Sequence, residues 1–471
     1  MSPTPPYDQL PVERSMLRDF LSLPPAARRE IREKIRALSL SRGLTYQKEA
    51  GVTEAMNLVP LPAVMPASEA RHIARLCREM IAVVKGIWTL YPSSPALKRV
   101  LPLAPREEEW ISECRHHGRS VRQPIIYRMD ADMPLAAPGA AGKARFFESN
   151  SVAVGGMLYG PVAESIVSDV TLRALYGRRG LPSLGRHFDT RLFVLGELVG
   201  HARALGRRGL TIAVLEDTRW ETGITEMPSL VKFFRRIGLR AYLADPGELA
   251  VRRGEVCCRG RVIDVAYRNF EIRDLFDRGD ADGGLLGLKE LFKKNQVVSS
   301  LAGDLDHKSL LEVFTSEEFG PLFSRGRRER LARHIPWTRL IYGRHTADPE
   351  GRRVDLPRFA RARRERLVLK PNRLCGGEGV ALGPETTQRD WERILDRAMR
   401  EPGEWVVQEW VDNTVKLLPS RWGGGAYRAL PQYTTYGFIA APHGVGVVGR
   451  ACVDRVVNIA SGGALLPVFA C

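Results

Sequence analysis

The sequence predicts a mixed α/β protein built from more than one packed unit. With 471 residues, the chain exceeds the size at which a single hydrophobic core stops growing. Its 44% hydrophobic and 27% charged content is typical of a globular protein. Short apolar runs alternate with helix-period segments through the middle of the chain, a pattern that favours a sheet covered by helices.

The first two predicted units are residues 1–95 and 96–185. The first is a helical region: a double proline in "LSLPPAA" separates two short amphipathic helices, and a longer helix covers 67–91 with Ser68 as its candidate N-cap. The second contains two strand-like runs, "SVRQPIIYRMDADMP" and "KARFFESNSVAV", followed by a Gly-Gly turn and a helix.

Residues 186–298 predict a Rossmann-like parallel α/β unit. The order is helix "FDTRLFVLGELVGHARALG", strand "GLTIAVLEDT", helix "MPSLVKFFRRIG", then strands "LRAYLAD" and "RVIDVAYRNFEIRDL". Such sheets place ligands at the carboxyl ends of their strands, here near Glu216-Asp217 and between Arg268 and Glu271. Arg268 and Glu271 are therefore candidates for binding a carboxylate substrate, with a surface ion pair as the alternative.

Residues 299–471 form the last predicted unit. It contains a helix in "DHKSLLEVFTSEEF", strands in "RLVLK" and "EWVVQEWVDN", and a tail in which strands alternate with glycines. The tyrosine-rich "YRALPQYTTYGF" predicts a pair of strands.

The net charge of +17 raises the question of nucleic-acid binding. The basic residues are spread along the chain and mixed with glutamates or apolar residues, and no Lys/Arg arm has interleaved aromatics. We therefore expect a solvated arginine-rich surface and a site for an anionic ligand, and we disfavour nucleic-acid recognition. An acidic carrier protein, peptide or small molecule would suit this surface.

Cysteine usage and hydropathy predict a cytoplasmic protein with no membrane partner. The seven cysteines form no C-x-x-C pair and are odd in number, which favours a reduced compartment and no structural zinc. No apolar run approaches the roughly 20 residues that span a bilayer, and the first residues lack the order of a signal peptide.

The common nucleotide-binding motifs are missing from the sequence. It has no G-x-x-x-x-G-K-[ST] and no G-x-G-x-x-G after a strand. "APGAAGKAR" lacks the first glycine and the final hydroxyl of the former, and we interpret it as a loop. A different arrangement occurs at "LVLKPNRLCGGEGV", where a strand ends on Lys370 and leads to Gly376, Gly377 and Gly379. A lysine and a glycine turn with accessible N–H groups suit a polyphosphate, although a simple β-hairpin explains the same residues.

Two further pairs of residues sit at strand spacing. Glu148 and Asn150 in "FFESNS" project to one face of a strand, as do Arg128 and Asp130 in "YRMDAD". Carboxylate and amide oxygens are suited to Mg²⁺ shared with substrate phosphates. A cross-strand salt bridge between Arg128 and Glu148 is the alternative.

Taken in order, these motifs resemble the ATP-grasp carboxylate–amine ligases over roughly residues 100–471. The resemblance is to the circularly permuted branch that includes glutathionylspermidine synthase, where R-x-D and E-x-N precede the lysine, glycine loop and hinge. Here the order is "YRMD", "ESN", "DHK", "LVLKPNRLCGGEGV" and "VVQEW". The resemblance implies an α/β (α+β) circularly permuted ATP-grasp fold with the Rossmann-like unit as substrate domain.

The same resemblance implies roles for individual residues around ATP and two Mg²⁺ ions. Lys308 and Lys370 would contact the phosphates, and Arg128 and Arg450 would face the transferred phosphoryl group. The remaining candidates are a loop over the phosphates, an adenine-binding hinge and the metal ligands: Gly376, Gly377 and Gly379; Gln408, Glu409 and Trp410; Asp130, Glu148 and Asn150.

The implied reaction is ATP-dependent joining of a small-molecule carboxylate to an amine through an acyl phosphate, with release of ADP and phosphate. Two alternatives stay open on the sequence. One is an ATP-grasp protein that binds nucleotide without ligation, and the other is a basic nucleic-acid-binding α/β protein.

Overall fold

The computed structural model describes most of the chain. The described residues are 7–49, 51–115, 122–177, 184–219, 223–278, 283–421, 427–441, 444–459 and 462–471. The α-helices are α1 (Pro11–Ser22), α2 (Pro25–Arg42), α3 (Ala67–Leu90), α4 (Pro95–Val100), α5 (Pro105–Cys114), α6 (Ala140–Lys143), α7 (Tyr159–Val167), α8 (Arg173–Tyr176), α9 (Thr190–Ala204), α10 (Glu226–Arg236), α11 (Leu286–Lys293), α12 (Leu310–Thr315), α13 (Arg325–Ala332), α14 (Leu356–Ala362) and α15 (Gln388–Arg400).

The strands are divided among several sheets. They are β1 (Thr45–Glu49), β2 (Val52–Ala55), β3 (Ala63–Met65), β4 (Arg128–Asp132), β5 (Arg145–Asn150), β6 (Gly185–Arg186), β7 (Thr211–Leu215), β8 (Gly223–Ile224), β9 (Arg240–Ala244), β10 (Leu249–Arg252), β11 (Glu255–Cys258), β12 (Arg261–Val262), β13 (Val265–Arg268), β14 (Val297–Val298), β15 (Thr338–Leu340), β16 (His345–Ala347), β17 (Arg353–Asp355), β18 (Leu367–Pro371), β19 (Ala381–Leu382), β20 (Trp405–Glu409), β21 (Val415–Arg421), β22 (Tyr427–Ala441), β23 (Gly444–Cys452), β24 (Ala464–Leu466) and β25 (Val468–Ala470).

The middle of the chain forms the parallel α/β unit that the sequence predicts. Its sheet has the order β9–β7–β13–β14, and all three pairings are parallel. Every residue of β7 is buried, as expected for a strand covered on both faces. Strand β9, the next strand of this sheet along the chain, lies on one side of β7 and β13 lies on the other, so the sheet has a topological switch point between β7 and β13.

A large antiparallel sheet joins distant parts of the chain. Its order is β24–β23–β22–β4–β5, with β21 also paired to β22. The tyrosine-rich segment is one 15-residue strand, β22, rather than the predicted pair of strands. The segment runs on as one strand without a turn, because β22 pairs along its length with β21, β23 and β4. Strands β4 and β5 are antiparallel and place Arg128 opposite Asn150 and Asp130 opposite Glu148.

A third sheet carries the other half of the predicted site. It has the order β15–β20–β18–β19, and its packed side contains Trp391, Leu395 and Val407. Strand β18 pairs with β20, so Lys370 lies opposite Val406 and Val368 lies opposite Gln408.

The N-terminal helices match the sequence prediction, apart from the N-cap of α3, and one predicted loop further along the chain is partly helical. Pro24 separates α1 from α2, and α3 covers nearly the predicted segment. However, α3 begins after Pro66, which takes the N-cap position predicted for Ser68. The "APGAAGKAR" segment, predicted as a loop, contains the helical turn α6, where Ala140 and Ala141 are buried against the core.

Candidate active site

A cavity of about 250 Å³, the first cavity, lies between the antiparallel sheet and the β18–β20 pair. Its described lining contains five basic side chains and three acidic ones. The basic residues are Arg128, Lys308, Lys370, Arg450 and Arg455; the acidic residues are Glu148, Glu378 and Glu409. A basic, partly enclosed space of this kind attracts polyanions.

Arg128 and Arg450 meet at one carboxylate below the first cavity. Arg128 donates two hydrogen bonds to Asp130, at 2.7 and 2.8 Å, and Arg450 donates one at 2.8 Å. Burial opposes ionisation of Asp130, yet the two guanidinium groups hold its pKa below the ordinary value. Arg128 thus pairs with Asp130 on its own strand, and not with Glu148 as the salt-bridge alternative required.

Glu148 and Asn150 project from β5 into the first cavity, as the sequence predicts from their spacing. Glu148 lies 3.2 Å from the Lys308 ammonium. The Nδ2 atom of Asn150 is buried and has no hydrogen-bond partner among the described residues, so this side chain is free to meet a ligand.

The oxygen donors fit Mg²⁺ in part. Glu148 and Asn150 offer one carboxylate and one amide to the cavity, which suits an ion that also takes oxygens from phosphates and water. Asp130 is fully buried, does not line the cavity, and has both oxygens engaged by arginines. Within the described residues, no group of three His, Cys, Asp or Glu side chains has a metal-holding arrangement.

The two predicted phosphate-binding lysines both reach the first cavity. Lys308 lies just before α12. Its backbone N–H donates to the Asn372 carbonyl, and its ammonium donates to the Leu374 carbonyl. Lys370 donates to Gln408 Oε1 at 2.6 Å and lies 5.2 Å from the centre of the Phe147 ring. Burial lowers the pKa of Lys370 to about 8, partly opposed by Glu148.

The glycine loop lies over the lysines. Gly376, Gly377 and Gly379 all have φ between 67° and 76°, the left-handed region that glycine adopts without strain. Gly376 and Gly377 line the cavity, whereas Gly379 packs against Pro371. A Cβ on Gly377 would come within 2.6 Å of Val456, so the loop closely approaches the segment after β23.

The predicted hinge residues lie at the wall of the first cavity, with Gln408 and Glu409 at the end of β20 and Trp410 directly after it. Gln408 is buried and orders the Lys370 ammonium, and its own Nε2 donates to Thr338 at 2.9 Å. The N–H groups of Glu409 and Trp410 donate to Trp337 and Arg366 carbonyls. The first N–H after β20 that bonds no described residue belongs to Val411, which also lines the cavity.

A second cavity, of about 620 Å³, opens beside the first at the carboxyl end of the parallel sheet. The two cavities share Glu148, Asn150 and Lys308 as well as part of the glycine loop. Glu216, Asp217 and Glu271 line it, which matches the predicted location of ligands at these strand ends.

Arg268 and Glu271 differ in position. The Arg268 side chain is fully buried, makes a two-bond ion pair with Asp304, and donates to the Ser299 and Ser300 carbonyls. It lines neither cavity and instead ties the end of β13 to residues 299–304. Glu271 does line the second cavity, paired with Arg273 at 2.9 Å and Arg373 at 2.7 Å.

Several cavity residues were not singled out from the sequence. Asp306 stands two positions before Lys308, and Asn269 follows Arg268 at the end of β13. Their closeness in sequence to predicted site residues could have pointed to both of them. Nothing in the sequence pointed to Arg455, which lies 5.6 Å from the Trp410 ring and forms an ion pair with Asp412.

Comparisons with known proteins find similarity in structure alone. No protein-family model and no curated protein sequence matches the chain. A solved structure of a glutathione synthetase-like effector, GSS30, from Globodera pallida in its apo form is 11% identical, with a TM-score of 0.61. The match covers 96% of this chain and 99% of that one. The chain therefore shares the overall fold of that solved structure.

A second solved structure is more distant. It is provisionally described as a gamma-glutamylcysteine synthetase from Methylobacillus flagellatus, and it is 13% identical with a TM-score of 0.39, covering 79% of this chain and 86% of that one. Across the described residues, the structure has no helix long and apolar enough to cross a membrane.

Proposed function

We propose that the protein is an ATP- and Mg²⁺-dependent carboxylate–amine ligase that forms an amide through an acyl phosphate and releases ADP and phosphate. One observation carries the proposal: four predicted phosphate-binding cations, Arg128, Lys308, Lys370 and Arg450, converge on one cavity under a glycine loop. The sequence distributes these four residues over more than 300 positions, and the fold brings them together.

The cations fit phosphoryl transfer, which depends on positioning and charge neutralisation more than on covalent chemistry by the protein. Lys308 and Lys370 would hold the phosphates from two sides, and Arg128 and Arg450 would neutralise the charge of the phosphoryl group in transit. Glu148 and Asn150 would hold Mg²⁺, which when bound neutralises phosphate oxygens. Asp130 would keep the two arginines in place. It could bind a second Mg²⁺ ion only if its hydrogen bonds to the arginines were broken.

The reaction has two balanced steps. A carboxylate oxygen of the acid attacks the γ-phosphorus of ATP, and ADP leaves. The amine nitrogen then attacks the acyl carbon, phosphate leaves, and the nitrogen loses a proton. An acyl phosphate hydrolyses readily, so the glycine loop would exclude water by closing over it.

We also infer that the fold is circularly permuted. Strand β22, from the last part of the chain, pairs with β4, from its first third. The strands with the proposed metal ligands therefore precede the β18–β20 pair in sequence while completing a sheet with strands that follow it. The parallel unit at 186–298 would be the substrate domain, since the second cavity opens at its strand ends.

The decisive experiment is Mg²⁺-dependent ADP release from ATP across pooled carboxylates and amines. ADP formation that needs both a carboxylate and an amine, and that is lost in Lys370→Ala and Glu148→Gln, is the expected result. Release of AMP and pyrophosphate would replace the acyl phosphate with an adenylate. Nucleotide binding with no turnover in any pool would favour the non-ligating alternative, and salt-sensitive binding to nucleic acid without nucleotide binding would favour the other.

A further inference from the structure

The turn between β5 and α7 is held by a buried carboxylate from another part of the chain. Glu226 is the first residue of α10 and is fully buried. Its Oε2 accepts the N–H of Gly156 at 2.8 Å, and its Oε1 accepts the N–H of Leu158. Burial raises the pKa of Glu226 to about 7, and these N–H groups and the charge of Arg128 oppose the rise. Because burial disfavours the charged form of a carboxylate, its presence at this turn calls for a reason.

One peptide group of this turn connects Glu226 to Arg128. The Gly155 carbonyl accepts a hydrogen bond from Arg128 at 2.5 Å. The N–H that donates to Glu226 Oε2 belongs to Gly156, the next residue. This carbonyl and this N–H are therefore the two ends of the same peptide group. The carboxylate holds the group at its N–H, and the guanidinium holds it at its oxygen.

The two glycines make the orientation of this peptide group depend on its hydrogen bonds. Neither Gly155 nor Gly156 has a Cβ that would hinder rotation of the peptide plane. A half-turn of the plane would direct its N–H toward the Arg128 guanidinium and its carbonyl toward the Glu226 carboxylate, so that two donors and two acceptors would face each other. Glu226 therefore favours the orientation in which Arg128 finds an acceptor.

Arg128 depends on this acceptor for its position at the first cavity. Its other described hydrogen bonds go to Asp130, which lies two positions along the same strand. Of the described hydrogen bonds of Arg128, only the one to Gly155 reaches another element. Arg128 and Gly155 both line the first cavity. A change in the Gly155 carbonyl would therefore change how the guanidinium faces that cavity.

Glu226 also stands beside the second cavity. Gly223, Thr225 and Pro228, which are close to it along the chain, line that cavity. Glu226 itself lines neither cavity. Its carboxylate thus connects a segment at the second cavity to an arginine at the first, without contact between Glu226 and a ligand in either one.

We propose that Glu226 is a positioning residue, which acts through the Gly155–Gly156 peptide group to fix Arg128 for contact with the terminal phosphate of a nucleoside triphosphate. The contact between Arg128 and that phosphate rests on the proposed function. The link between Glu226 and Arg128 rests on the described hydrogen bonds alone. The alternative is that Glu226 only stabilises the N-terminus of α7, which begins at Tyr159.

The test compares the binding of β,γ-methylene-ATP and of ADP to the purified full-length chain. Calorimetry with Mg²⁺ at pH 8 measures both affinities while most of Glu226 is ionised. We expect Glu226→Gln to weaken binding of the triphosphate about tenfold and to leave ADP binding nearly unchanged, because ADP lacks the phosphate that Arg128 would contact. In an Arg128→Ala background, Glu226→Gln should cause no further loss. Glu164→Gln, the same change at a buried position of α7 that lines neither cavity, should change neither affinity.

An equal loss for both nucleotides would show that Glu226 only stabilises α7, and would overturn the positioning role. No loss for either nucleotide, or an undiminished further loss in the Arg128→Ala background, would overturn it too. Glu226→Asp, which is too short to hold both N–H groups, and Arg128→Lys replace any variant that does not fold, with the same expectations.

Urea unfolding separates this inference from the proposed function, because it needs no nucleotide. The shifts in unfolding midpoint caused by Glu226→Gln and Arg128→Ala should fail to add in the double variant, since both changes break one connected set of hydrogen bonds. Additive shifts would overturn the link between the two residues. If the wild-type chain binds neither nucleotide, the proposed ligase function fails, and the unfolding measurements alone decide whether Glu226 holds Arg128.

Discussion

Lys370 should make nucleotide binding weaken as the pH rises above 8. Burial lowers the pKa of its ammonium from 10.5 to about 8, with Glu148 opposing the shift and Lys308 adding to it. If only the ammonium form binds phosphate, the apparent dissociation constant rises by the factor 1 + 10^(pH − pKa), from near 1 at pH 7 to about 11 at pH 9. We therefore expect about tenfold weaker binding of a non-hydrolysable ATP analogue at pH 9 than at pH 7.

Calorimetric titration at fixed ionic strength and Mg²⁺ concentration measures this slope. Lys370→Arg is the matched control, because a guanidinium stays charged throughout the range and should flatten the dependence. The unliganded protein gives a second readout. The pKa of Lys370 is lower in the folded protein than in the unfolded chain, so the unfolded chain binds more protons between about pH 8 and 10.5. The contribution of Lys370 to the free energy of unfolding therefore rises with pH over that range and is absent below pH 8. Nucleotide binding that is flat between pH 7 and 9, or an equal slope in Lys370→Arg, would refute the reasoning.

Three substitutions, with a fourth as a control, test other parts of the structure. Glu148→Gln should abolish the Mg²⁺-dependent part of nucleotide-induced thermal stabilisation, because the amide has no charge for the ion; an unchanged Mg²⁺ dependence would contradict its role as a ligand. Gly377→Ala should weaken nucleotide binding and lower stability by about 1–3 kcal/mol in urea unfolding, since it adds strain at φ +76° and a Cβ 2.6 Å from Val456. Gly351→Ala, at φ +83° with no atom within 4 Å of the new Cβ, should leave nucleotide binding unchanged. Arg268→Ala should cost about 3–5 kcal/mol by the same method, because Asp304 would stay buried without its partner; a loss below about 1 kcal/mol would show that the pair is dispensable.

The sequence predicted the local placement of the candidate site well, because strand periodicity determines which side chains share a face. The spacing of Glu148 and Asn150 placed both in the first cavity, and the strand ending on Lys370 did the same for its ammonium. The alternation of strands and helices predicted the parallel sheet. Such sheets bind ligands at the carboxyl ends of their strands, and Glu216 and Glu271, which follow two of these ends, line a cavity.

The ion-pair partners of the site residues could not be predicted from the sequence, because they depend on contacts between distant segments. Arg268 looked like a polar residue at a strand end, but Asp304, 36 positions later, fixes it inside the core. Asp130 looked like a metal ligand, but Arg450, 320 positions later, occupies one of its oxygens. The continuous strand β22 was missed for a similar reason, since its polar and tyrosine residues are accommodated by pairing with three other strands.

The described lining of the second cavity has seven acidic and three basic side chains, whereas basic side chains outnumber acidic ones in the first. This difference addresses a problem that the proposed reaction would face. A triphosphate needs cations around it, whereas an ammonium needs carboxylates, and one uniformly charged pocket would repel one of the two. Glu148 and Lys308, which form an ion pair, line both cavities and therefore lie where the basic region meets the acidic one. Cys375 and Gly376 of the glycine loop also line both cavities, so closing this one loop would cover both. On the proposed chemistry, the acyl phosphate would then meet the amine before it meets water.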